Sequence, residues 1–228
     1  MIIVPFEAIE ERARERAGGA QALVARLPVP KSAADLRAVP DDRYLSMMSL
    51  RIFRAGLKHS VVDDRWPAFE EAFFGFDPAR VEVMPDEEME ALLNDRRLIR
   101  HWGKIKAVRD NASAMRRLEG GAKGGQGRMG AYLADWPRED VVGLWDDLAR
   151  RFSQMGGRSG PSFLRMVGKD TFILTESVIK ALDHWDAFDG APRSKGDRRK
   201  VQEVFNAWRN ECSRPFCQIS MILAASVD

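Results

Sequence analysis

LWDDLARRFSQMGGRSGPSFLRMVGKDTFIL, residues 144–174, reads as a helix, a tight glycine hairpin and a second helix that stops at Gly168. Three glycines, Gly156, Gly157 and Gly160, fall within MGGRSG. They permit positive φ and close backbone approach, and Pro161 suits the first turn of a helix. A second helix started this way presents a row of backbone N–H groups at its N-terminus, which is a natural seat for a phosphate. The plain alternative is a tight helix–helix turn with no ligand.

Outward from the hairpin, no stretch alternates apolar and polar residues long enough to make a strand. The chain is expected to be all-α, built from many short helices with proline and aspartate starts. Residues 5–26 have helical spacing (Phe6, Ile9, Ala13, Leu23) broken at Gly18-Gly19. Ser32 is placed to cap a short helix through Leu36. Residues 44–59, YLSMMSLRIFRAGLKH, are apolar nearly all round and predict a central buried helix. Pro67 sits in a first turn, Asp77-Pro78 opens another helix, and Pro85-Asp86 repeats that device. After Gly103 comes a long amphipathic helix with Ile105, Val108, Ala112 and Met115 on one face. Residues 120–130, GGAKGGQGRMG, have the most flexible composition in the chain. A helix beginning near Trp136-Pro137 leads into the hairpin, and a final amphipathic helix is expected over 196–228.

With 45% hydrophobic and 31% charged residues, the 228-residue chain has the composition of an ordinary globular protein. It is long enough for one large domain or two lobes sharing a core. No apolar run approaches the roughly 18 to 20 residues needed to span a bilayer. Only two cysteines, Cys212 and Cys217, are present, so a disulfide framework is excluded and a reducing, cytoplasmic setting is expected. A net charge of +2 does not by itself identify a nucleic-acid partner. Two basic groups stand out: Arg193, Lys195, Arg198, Arg199 and Lys200, and Arg97, Arg100, Lys104 and Lys106. Within the second, Arg97, Arg100 and Lys104 stand at i, i+3 and i+7, a spacing that would put them on one helical side, there to reach a phosphate or simply to face solvent.

Two stretches carry a family resemblance. Ala55-Gly56-Leu57, then Phe76-Asp77-Pro78, then Ile99-Arg100-His101-Trp102-Gly103-Lys104-Ile105 and Asn111-Ala112 follow one another at a recognisable spacing. Phe152, Gly156, Ser162, Phe163 and Gly168 continue it through the hairpin. The pattern resembles the 3-methyladenine DNA glycosylase I family of the helix-hairpin-helix glycosylase superfamily. The resemblance covers about residues 45–170. It implies a two-lobed helical bundle, 1–228, with an N-terminal extension (1–43), base-pocket helices (44–118), the hairpin region (136–185) and the C-terminal helix. It also implies an enzyme that flips a damaged base out of duplex DNA and hydrolyses its N-glycosidic bond.

On that reading Gly156, Gly157, Arg158, Ser159 and Gly160 hold a DNA phosphate, with Arg100 and Lys104 reaching another. Tyr44, Arg51, His59 and Trp102 are the base-pocket candidates. The chemistry departs from the family. The family's acid, four residues before its Ala-Gly-Leu, is Arg51 here. The aspartate of the wider superfamily, seven residues past the glycine matching Gly168, is Thr175. Asp170 and Glu176 are the acids left to act as catalytic residues, each equally readable as a helix cap or a first-turn acid. The family's zinc ligands are not matched, so no metal and no other cofactor is expected. The expected partner is double-stranded DNA with a damaged base, bound by a monomer associated with the nucleoid. The rival expectations are a DNA-binding protein that has lost the chemistry, and a helical interaction domain with no DNA role.

Overall fold

The computed structural model describes residues 4–119 and 127–227, and among them every regular element is a helix. In chain order these are α1 (Phe6–Ala17), α2 (Ala20–Val24), α3 (Ala33–Ala38), α4 (Asp41–Arg54), α5 (His59–Asp63), α6 (Trp66–Ala72), α7 (Pro78–Glu82) and α8 (Asp86–Ala91). There follow α9 (Trp102–Arg116), α10 (Arg128–Asp135), α11 (Val141–Arg151), α12 (Ser159–Val167), α13 (Glu176–His184), α14 (Lys195–Cys212) and α15 (Phe216–Ala225). Single 3-10 turns cover Phe74–Phe76 and Leu92–Asn94.

Local chemistry explains many of these boundaries. Gly18 and Gly19 adopt φ of 85° and 119°, conformations that end α1 and re-aim the chain into α2. Ser32 and Asp35 form a reciprocal capping box at α3, and Ser194 and Asp197 form another at α14. Asp77 accepts the Ala79 N–H ahead of Pro78. Asp86, by contrast, is the first residue of α8 and does not cap it; its carboxylate pairs with Arg109 at 2.6 Å.

The chain forms two compact units. The first comprises residues 1–30, 137–144 and 170–228. Its core is a stack of aromatic rings, with Phe172 face to face on Phe205 at 4.1 Å and Phe216 and Trp208 edge-on to Phe205. The two ends of the chain are tied here by polar contacts. Trp208 Nε1 donates to the Val4 carbonyl at 2.9 Å, the Phe6 N–H donates to Glu211 at 2.8 Å, and Arg214 donates twice to Glu10. Burial alone would raise the Glu10 pKa, but hydrogen bonds from Arg214 and Arg14 outweigh it and hold the carboxyl below its ordinary value.

The second unit comprises residues 31–136 and 145–169. Its centre is α4, which packs against α9, α12 and α10. Phe53, Trp66, Phe69, Phe73 and Phe76 form a continuous aromatic cluster beside it, and Trp66 stacks on both Phe69 and Phe76.

Four expectations need correction. The central helix spans Asp41–Arg54 and does not run on to His59, because Gly56 takes a φ of 76° and turns the chain out. Arg97 and Arg100 precede α9, so they do not share a helical face with Lys104. The C-terminal helix is two helices, since Ser213 adopts a left-handed φ of 55° and Pro215 cannot continue a helix. Arg128–Gly130, expected to belong to a flexible loop, begin α10, while residues 120–126 of that loop lie outside the described residues.

Candidate nucleic-acid interface

The hairpin turn occupies residues 152–158, between α11 and α12. Gln154 and Gly157 take φ of 61° and 58°, and only the glycine does so without strain. Gly160 is buried, and a Cβ there would stand 3.0 Å from the Met155 carbonyl oxygen, so close chain approach explains this glycine. Gly157 faces open space, as a surface offered to a ligand would, while a Cβ on Gly156 would rest against the Ala149 Cβ at 4.0 Å. Pro161 brings no N–H, and among the described residues the amides of Gly157, Arg158 and Gly160 donate to no backbone carbonyl. Exposed Gly157 and Arg158 therefore offer open N–H donors beside the positive end of this nine-residue helix.

A residue on another helix holds the turn in place. Asn111, fully buried in α9, donates Nδ2–H to the Ser153 carbonyl (3.1 Å) and accepts the Ser153 N–H on Oδ1 (2.6 Å). Gln154 adds a donation to the Gly103 carbonyl at 2.6 Å, at the start of α9. His101 caps α9 there by accepting the Lys104 N–H on Nδ1. In the sequence Asn111 figures only as part of a motif. An asparagine beside Val108, Ala112 and Met115 on the apolar face is the signal that could have found it, because a buried amide must find partners.

The end of α4 brings a cluster of cations to the same unit. Lys104 is buried, and its Nζ donates to the Ala55 and Phe53 carbonyls at 2.6 and 3.1 Å. It therefore caps the C-terminus of α4 and is not extended toward solvent, contrary to the phosphate contact expected of it. Burial, and then the Arg51 charge, lower its pKa below that of an ordinary lysine. Arg54 is held by Asp63 in a two-point pair at 2.8 and 2.7 Å. Arg51 is half-buried, and its Nε is shut off from solvent with no hydrogen-bond partner among the described residues. Burial, then the Arg158 and Arg54 guanidiniums, lower its pKa below the arginine norm.

The remaining candidates are scattered. Tyr44 is fully buried and its hydroxyl donates to the Leu36 carbonyl at 2.7 Å, so its ring belongs to the core. His59 is exposed at the first position of α5, and Trp102 is 38% exposed at the first position of α9. Arg100 is exposed in the segment before α9. Arg158 is exposed in the turn, and Ser159 is half-buried as the first residue of α12.

The two candidate acids belong to the first unit. Asp170 accepts the Phe216 and Cys217 N–H groups at 3.0 and 2.9 Å, so both carboxylate oxygens cap α15. Glu176 is exposed in the first turn of α13. Thr175, at the position of the superfamily's aspartate, caps α13 by accepting the Val178 N–H at 3.2 Å. Cys212 and Cys217 are not joined in a disulfide, and no group of three or more His, Cys, Asp or Glu suited to a metal occurs among the described residues. No helix among the described residues is long and apolar enough to cross a membrane.

Residues 37–139 match the model of the methyladenine glycosylase family. A 77-residue stretch is 35% identical to DNA-3-methyladenine glycosylase 1 of Escherichia coli (strain K12). It represents 34% of this chain and 41% of that protein, so the match spans under half the length of this curated relative. In three dimensions the chain is similar to the 8-oxoguanine DNA glycosylase of Methanocaldococcus jannaschii, with a TM-score of 0.57 and 15% identity over 94% of this chain and 89% of that one. The glycosylase/lyase from the same organism, in complex with a 15mer DNA containing 8-oxoguanine, aligns with a TM-score of 0.56 and 13% identity over 95% of each chain. At these identities the structural likeness speaks for the fold. The chain has the helical fold of the DNA glycosylases, and over residues 37–139 it matches the methyladenine glycosylase family.

Proposed function

We propose that this protein is a base-excision repair glycosylase that binds damaged duplex DNA and releases alkylated purines of the 3-methyladenine type. One observation carries the reading. The segment that matches the family contains α9, and Asn111 and Gly103 of α9 hold the glycine hairpin whose amides lie open. Gly156–Gly160, with Arg158 and Ser159, seat a strand phosphate, and the lesion base is turned out of the stack toward the end of α4. Water attacks C1′ of the sugar as the C1′–N bond breaks, and the bonding pair leaves with the base. A purine alkylated on a ring nitrogen already carries positive charge and departs as a neutral molecule. That chemistry places a smaller demand on a carboxylate than release of a neutral base does. Of the two candidate acids, Asp170 has both oxygens engaged as a cap, and Glu176 is the one left exposed.

A second reading, a DNA-binding protein on the same scaffold without the chemistry, is favoured by Arg51. A guanidinium beside the flipped base disfavours both a cationic lesion and a developing oxocarbenium ion. Incubating the protein in excess with N-methylated duplex DNA and measuring free bases by chromatography separates the two. Release of 3-methyladenine supports the first. Salt-dependent DNA binding with no released base supports the second, and no binding at low salt sinks both.

A further inference from the structure

Several arginines of the second unit have a carboxylate partner. Arg37, Arg43, Arg54, Arg97, Arg109 and Arg116 pair with Asp135, Glu70, Asp63, Asp95, Asp86 and Glu82 respectively. Among the described residues Arg51 and Arg158 form no ion pair and no side-chain hydrogen bond. Arg51 is in the last turn of α4, Arg158 immediately precedes α12, and these two helices pack on each other. The Arg158 charge is felt at Arg51, where it acts in the same direction as burial. Two neighbouring cations, one half-buried with an inner N–H left unsatisfied, are costly unless an anion joins them. The other charged groups near Arg51 do not supply one. Lys104 is spent on the carbonyls of Phe53 and Ala55, and Arg54 has already neutralised Asp63.

We propose that Arg51 and Arg158 form a two-sided clamp for one phosphate group, with the open amides at the start of α12 as its floor. The ligand class is a phosphate, carried on a DNA strand or on a free phosphomonoester. A guanidinium suits it because its N–H groups match two phosphate oxygens at once. The DNA source rests on the DNA-binding reading above, while the phosphomonoester source does not. Arg51 thereby gains a role at the position where the resembling family carries an acid.

The test uses the full chain with Arg51→Gln, Arg51→Lys and Arg158→Gln, each checked for native helix content by circular dichroism. Binding to a closed circular duplex, which has no terminal phosphate, is titrated from low to moderate salt. Losing one phosphate contact is expected to lower the slope of log affinity against log salt by about 0.9, and affinity at 0.1 M salt by about eightfold. Arg51→Lys keeps the charge but not the two-point fork, so it should keep the salt slope and lose part of the affinity. Arg51→Gln combined with Arg158→Gln should cost less than the two single losses multiplied. In a second arm, inorganic phosphate and a 5′-phosphorylated dinucleotide are tested for raising the melting temperature of the wild type but not of Arg51→Gln. Wild-type DNA binding with an unchanged slope in Arg51→Gln overturns the DNA clamp. If the wild type binds no DNA, the DNA reading fails alone, and Arg51-dependent protection by phosphate still upholds the clamp. Absence of both effects overturns it for either source. Should Arg51→Gln fail to fold, Arg158→Gln in an exposed turn replaces it in both arms, and the same outcomes uphold or overturn the clamp.

Discussion

Replacing Asn111 by alanine tests whether the hairpin is held in shape from α9. Asn111 is fully buried and makes two hydrogen bonds to the backbone of Ser153, at 3.1 and 2.6 Å. Each is worth about 1 kcal/mol net, and stranding the Ser153 N–H and carbonyl adds about 1 kcal/mol because this residue is only half-buried. The expected loss is therefore about 3 kcal/mol, or roughly 6–12 °C in melting temperature for a protein of this size. Urea unfolding followed by circular dichroism measures it. DNA affinity should fall as well, because the amides of Gly157, Arg158 and Gly160 are placed by the turn that Asn111 holds. Asn111→Asp separates the two hydrogen bonds. It keeps the acceptor for the Ser153 N–H, loses the donor, and buries a charge, so it should be at least as destabilising as alanine. A change below about 0.5 kcal/mol for Asn111→Ala would refute the reasoning, since that is the range of substitutions that touch nothing.

Three further outcomes follow from the geometry. The Glu10 pKa is held below its ordinary value of 4.5, so the stability it contributes is complete above that pH and is lost as the pH falls through the lowered folded-state value. Glu10→Gln should therefore be less stable than the wild type at neutral pH, with the difference closing on acidification, as measured by unfolding at a series of pH values. Asp170→Ala removes the cap that receives the Phe216 and Cys217 N–H groups, and should cost about 1–2 kcal/mol in urea unfolding. Asp170→Asn keeps an acceptor and should cost less, so an equal loss for both would argue against a capping role. Thr175→Asp puts a carboxylate at the superfamily's position with little cost to the α13 cap, because aspartate caps at least as well as threonine. Melting should shift by no more than a few degrees, and single-turnover base release from methylated DNA should rise; a fall in release would oppose the assignment.

Some of this protein was legible in its residues. Short-range rules decide where Ser32 and Asp77 cap, where Gly18-Gly19 break a helix and where Gly168 ends α12, because each depends only on a few neighbouring backbone angles and donors. The all-helical class and the hairpin were therefore available from the sequence. The Ser213–Pro215 break was equally local, but the apolar periodicity on either side of it masked it.

The candidate site was another matter. That Lys104 turns inward onto the end of α4, that Asp170 caps a helix nearly fifty residues away, and that Tyr44 is core are consequences of which segments meet, and linear spacing does not encode them. The same is true of Asn111, whose partner at Ser153 is supplied only when α9 packs under the hairpin. Sequence alone established that Arg51 and Thr175 stand where acids were expected. The tertiary structure decided what those residues do instead: Thr175 satisfies an orphan N–H at a helix start, and Arg51 is left half-buried beside Arg158 without a carboxylate. A cap is made within one turn of chain, but a charge is balanced only by what the fold brings to its side.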